Sequence, residues 1–140
     1  MGGIEQQSKQ THKIRFRGKV TFFSTIALPL TGNLRTMLVF YTTFHLSHRK
    51  YEEGLAYLRT VYIPAATRSG QLRSPRLQRV VHEVEGAEGV SLSVQFGVSD
   101  EKTLQTWMCD EGAALHQELV ARFGHEMAGF STVLEELDLI

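Results

Sequence analysis

Val90-Ser91-Leu92-Ser93-Val94-Gln95-Phe96-Gly97-Val98 decides the fold. Val90, Leu92, Val94, Phe96 and Val98 fall on one side of an extended chain, with Ser91, Ser93, Gln95 and Gly97 on the other. That period of two belongs to a strand with one buried face. Gly86-Ala87-Glu88-Gly89 immediately before it reads as a tight connection, and Leu77 to Glu85 before that reads as a second strand. The alternation in 77–85 is weaker because Val80 and Val81 are adjacent, but two strands joined by four turn residues form a hairpin.

Downstream, Ser99 or Asp100 can cap a helix in which Leu104, Trp107, Met108, Leu115, Leu119 and Phe123 form an apolar stripe. The stripe has a gap at Glu111, where Gly112 permits an irregularity. Gly124 ends the helix, and a last strand lies within 127–137, where Phe130, Thr132 and Leu134 alternate with Ser131 and Val133. Upstream, Leu38, Phe40, Thr42, Phe44 and Leu46 alternate with Val39, Tyr41, Thr43 and His45 in an aromatic and β-branched segment suited to a central strand. Ser47 can cap the following helix, whose stripe is Tyr51, Leu55, Leu58 and Tyr62. Gly54 is expected to mark close packing against a strand, and Pro64 to end or kink the helix near Ile63.

The order from Met37 is β-α-β-β-α-β with both helices amphipathic. Right-handed connections put both helices on one face of a four-stranded antiparallel sheet, with the first and third strands central. This is the α+β, ferredoxin-like split βαβ arrangement, a fold able to pair as a dimeric α+β barrel.

The net charge of zero conceals an asymmetry: residues 1–36 carry +5, and residues 37–140 carry 9 bases against 14 acids. The domain is therefore expected at 37–140, with 1–36 a basic leader. That leader is read as a disordered tail or an early-start artefact; a processed targeting segment and a docked extra strand are the alternatives. Its apolar run from Val20 to Leu30 is broken by hydroxyls and Pro29, and is too short for the roughly 20 apolar residues a membrane span needs. A single cysteine, Cys109, excludes a disulfide framework and a cysteine-based metal site. A cytoplasmic protein without membrane attachment is expected.

Two helices cover one sheet face, so the other presents Val39, Tyr41, Thr43 and His45 beside Ser91, Ser93 and Gln95. Tyr41, His45, His82 and Gln95 are the candidate pocket or interface residues. His82 and Gln78 belong with them only if the second strand turns that face outward; a shift by one residue would substitute Arg79 and Glu83. Arg73, Arg76 and Arg79, near Arg68, are the candidate anion contacts, since a guanidinium suits carboxylate or phosphate. His116 is expected on a solvated helix face, and Cys109 to be a half-buried inert thiol. No phosphate loop or metal-binding cluster occurs, and no metal or cofactor is expected. Nucleic acid is not expected either, because the third strand offers Ser, Ser and Gln where RNA-recognition domains place stacking aromatics in a basic surround.

Tyr41-Thr42-Thr43-Phe44-His45, Tyr62-Ile63-Pro64 with Ser69-Gly70, Ser91 to Phe96, and Leu119 to Gly124 leading into Phe130 to Glu135 resemble a family known as domain of unknown function 4286, common in Bacteroidetes and their relatives. The resemblance covers nearly all of 37–140. It implies no established activity, and it singles out Tyr41, His45, Tyr62, Pro64, Gln95, Arg122, Phe123 and Gly124 as matching positions. The function expected is a homodimeric binding or structural module using its open sheet face, with a small-molecule ligand possible. A monooxygenase-like or isomerase-like enzyme with a pocket at Tyr41 and His45, and a regulatory partner-binding domain, are the alternatives.

Overall fold

The computed structural model describes residues 9–15, 21–27 and 37–139, the first two stretches as backbone. Its strands are β1 (Lys9–Arg15), β2 (Thr21–Ala27), β3 (Leu38–Leu46), β4 (Arg73–Arg79), β5 (Val90–Val98) and β6 (Met127–Glu135). They form one sheet in the order β1-β2-β6-β3-β5-β4. Each of the four strands from β3 onward runs antiparallel to its neighbours among them, with β3 and β5 central, as a ferredoxin-like fold requires. Of the 1–36 stretch, the described backbone pairs β1 with β2 and lays β2 parallel to β6 at Ser24↔Ser131 and Thr25↔Thr132. The expectation of disorder or of an early start for that stretch otherwise lies outside the described residues.

β3 alternates strictly between buried and half-buried positions. Phe40, Phe44 and Leu46 meet Leu92, Val94, Phe96 and Val98 of β5 in a core roofed by two helical rods. Ser47 begins the first rod, its hydroxyl accepting from the Lys50 N–H. The rod runs through α1 (Tyr51–Tyr57), a π-helical turn at Leu58–Tyr62 and α2 (Ile63–Thr67). Pro64 therefore does not end it. A proline lacks the N–H that would bond the carbonyl four residues back, and its ring crowds that carbonyl. The wider π turn just before it, closed by Ile63 N–H to Leu58 O, accommodates the defect. Gly54 is a close-packing point, since a Cβ there would overlap Leu46 Cδ2.

The second rod starts at Asp100, whose carboxylate accepts from Thr103 N–H at 2.8 Å. That hydrogen bond holds the Asp100 pKa below the usual range. The rod continues through α3 (Glu101–Trp107), a π turn at Met108–Gly112 and α4 (Ala113–Phe123). Trp107, fully buried, joins the rods: its indole N–H donates to Ala66 O at 3.0 Å, and its ring meets Phe40 edge-on at 5.8 Å. Ala66 lies in the last turn of α2, where a carbonyl has no partner within its own helix, so the indole caps one rod from the other.

The second strand departs from the sequence expectation. It is Arg73–Arg79, not 77–85, and the connection to β5 is a loop at 80–89 instead of a tight turn. Val80 and Val81, whose adjacency broke the alternation of 77–85, stand exposed in that loop. The true strand was disguised by Pro75, which is tolerated because β4 is an edge and the register shifts between Arg73 and Arg76.

Trp107→Phe removes the cap and leaves a cavity. We expect a loss of about 2–4 kcal/mol in urea unfolding; a loss below about 1 kcal/mol would show that the rods do not depend on the indole.

Candidate functional site

The register builds the open face row by row. Arg76 on β4 faces Gln95 on β5, Gln95 faces Tyr41 on β3, and Tyr41 faces Thr132 on β6. The next row is Gln78, Ser93, Thr43 and Phe130. At the two ends lie Gly97, Val39 and Leu134, and Ser91, His45 and Ala128. Directly opposed residues of an antiparallel pair share a face, so the β4 and β5 side is polar while the β6 side carries exposed Phe130 (50%) and Leu134 (46%). None of the 14 acidic side chains of residues 37–140 stands in these rows.

The four candidates of the sequence separate. Tyr41 and Gln95 sit side by side, and their polar side-chain atoms have no hydrogen-bond partner among the described residues. His45 is fully engaged. Its Nε2 donates to the Glu88 carbonyl at 2.9 Å and its Nδ1 meets Ser91 Oγ at 2.9 Å. The Glu83 carboxylate accepts from both Ser91 N–H (2.8 Å) and Ser91 Oγ–H (3.1 Å). Both imidazole nitrogens of His45 and the Ser91 hydroxyl are thus held in hydrogen bonds within the protein. The network instead fastens the 80–89 loop to the sheet end. Gly89 lets the loop come this close: at φ 125°, a Cβ there would lie 2.2 Å from Leu46 O. His82 does not join the group; it is exposed in the loop, away from the strand positions expected to carry it.

The arginines separate too. Arg76, opposite Gln95, and Arg73, opposite Gly97 across the register shift, both fall in the open-face rows. Arg79 points to the helix side, where its guanidinium donates to Tyr51 Oη at 3.4 Å. The three therefore do not form one anion site.

On the outer side of the helices, a groove of about 530 Å³ is lined by Val61, Pro64 and Arg68 from the first rod and Glu111, Leu115 and Glu118 from the second. It holds none of the candidates. It opens to solvent along charged helix faces, while the sheet face carries the converging uncharged polar groups that a small-molecule site uses. His116, expected in solvent, is buried at 3% exposure, and desolvation pushes its pKa down to about 4. The gap left by Glu111 in the apolar stripe hid it, because the π turn rotates the following residues inward. Cys109, expected half-buried, is exposed on that same turn. No cluster of metal-ligating side chains occurs among the described residues, and none of their helices is long and apolar enough to cross a membrane.

The chain belongs to the family described as a domain of unknown function (DUF4286), which matches residues 37–137. No curated protein matches it. Among solved structures it is similar to an ethyl tert-butyl ether d family protein from Bacillus halodurans c-125. The two share 17% identity over 73% of this chain and 99% of that one, with a TM-score of 0.53. A dimeric ferredoxin-like protein from an uncultured marine organism is similar at 10% identity over 75% of this chain and 99% of that one, with a TM-score of 0.51. At these identities the likeness shows the shared fold.

Ser91→Ala should release the loop, raising hydrogen exchange of the 83–89 amides about tenfold while β3 stays protected; unchanged exchange would mean the network does not hold it. His116 gives a pH dependence. Its folded value, about 4, lies below the 6.5 of a free imidazole, so the unfolded chain takes up the proton first. Its contribution to stability is complete above pH 6.5 and is lost as pH falls toward about 4. His116→Leu should flatten urea stability across that interval, and an unchanged slope would assign the titration elsewhere.

Proposed function

We propose that the protein is a homodimeric binding module, two copies meeting through the open sheet faces and enclosing a small-molecule site around Tyr41 and Gln95. The observation that carries this reading is the composition of that face: exposed Phe130 and Leu134 on one side, and polar groups of Tyr41 and Gln95 without partners among the described residues on the other. Apolar side chains of this size gain by burial, at about 25 cal/mol per Å² removed from water. Polar groups without protein partners suit an enclosure that brings its own. The similar marine protein is described as dimeric, which supports a second copy as the occupant of the face.

The functional domain in this reading is 37–140, with the stretch before Met37 an appendage to it. One exposed cysteine suits a reducing compartment, so we place the protein in the cytoplasm. The enzyme alternative at Tyr41 and His45 is weakened because the protein itself occupies both imidazole nitrogens.

Light scattering of the full chain at micromolar concentration should give twice the 15.8 kDa of one copy. Phe130→Glu should halve the measured mass while leaving circular dichroism unchanged. A monomeric parent chain would overturn the proposal.

A further inference from the structure

The geometry points to a small carboxylate with an apolar body as the ligand of the open face, its carboxylate on Arg76 and its body against Phe130 and Leu134. This rests on the reading of that face as the binding surface and names what it binds. Three observations carry it.

The first is the Arg76–Gln95–Tyr41–Thr132 row, which places a guanidinium, an amide and a phenol in line across three strands. None of the three side chains has a hydrogen-bond partner among the described residues. Guanidinium N–H, amide N–H and phenolic O–H are all donors, and a carboxylate is an acceptor only.

The second is the sign of the face. The domain carries 14 acids against 9 bases, yet these rows contain arginine and no carboxylate. Glu83 reaches the Ser91 end of the face from the 80–89 loop, where Ser91 N–H and Oγ–H engage it, and the Arg76 row itself offers a cationic ligand no counter-charge. When two such faces close on one another, guanidiniums from both copies border one enclosure, and an anion offsets their repulsion where water is excluded.

The third is polarity along the row direction. The charged end lies at β4 and the apolar end at β6, where Phe130 and Leu134 flank Thr132 along the strand. A ligand lying across the strands therefore meets charge at one end and hydrocarbon at the other. This arrangement favours a carboxylate with an apolar body over inorganic phosphate: the Arg76 row holds one guanidinium and neutral donors, Arg73 standing one row away opposite Gly97, with no lysine and no helix terminus.

Benzoate is the test probe, with benzamide as its neutral isostere and inorganic phosphate as the alternative anion, read by amide NMR shifts on the full chain. Benzoate should shift the amides around Tyr41, Gln95 and Phe130, and should bind at least about tenfold tighter than benzamide or phosphate. Arg76→Gln should weaken benzoate about tenfold and leave benzamide unchanged; as an exposed residue of an edge strand, Arg76 is replaceable without threatening the fold. Absence of shifts at millimolar benzoate, equal binding of benzamide or phosphate, or shifts confined to the interhelical groove would each overturn the inference. Light scattering of the same samples separates the two readings. A dimer that ignores benzoate overturns the ligand and keeps the dimer, whereas a monomer that binds benzoate through Arg76 keeps the ligand and overturns the dimer.

Discussion

Two helical rods can roof one face of a sheet and no more, and the rest of the molecule follows from that limit. β3, paired on both sides, must bury every second residue beneath the rods, and it does so with Phe40, Thr42, Phe44 and Leu46. The intervening residues are left on a surface that no other described element of the chain covers in the same way. The rods can do their half of the work only if they are held together, and Trp107 does this by donating to the open end of the other rod. Even the polar pair beneath them is matched: Thr42 and Ser131 share a hydrogen bond of 2.6 Å within the core.

Much of this was legible in the sequence because it depends on periodicity. β5 runs over the residues whose alternation announced it, β3 and β6 begin and end within a residue or two of expectation, and Asp100 and Ser47 cap as their side chains allow. The two faces of β3 and β5 were also assigned correctly, since alternation fixes them once one face is buried. β4 was misread because an edge strand is paired on one side only. It needs no alternation, tolerates Pro75, and is exposed at nearly every position.

The candidate site was half legible for a related reason. Tyr41 and Gln95 share a row because their strands do, which alternation reveals. His45 lies on the same face, but its engagement with Ser91, Glu83 and Glu88 depends on where a ten-residue loop folds back, and no local pattern encodes that. His116 was hidden by helix geometry. Each rod carries a π turn seven residues after its first α-helical residue, at Leu58–Tyr62 and Met108–Gly112, and each extra residue rotates the remaining stripe by about 100° relative to an ideal helix. A helical wheel drawn through such a turn places later residues on the wrong side. The shared position of the two turns is a likeness between the halves of the chain that their side chains do not display.

The bulge in β4 has a consequence for how copies of this chain can aggregate. A flat edge strand with free amides and carbonyls is a template for adding further strands without limit. Here that edge is interrupted by Pro75, which offers no amide proton, and by Ser74, whose φ of 53° turns the chain out of the pleat. Arginines flank the break on both sides. Edge-to-edge growth from β4 is obstructed by geometry and charge together, so open-ended strand addition on this side of the molecule is disfavoured.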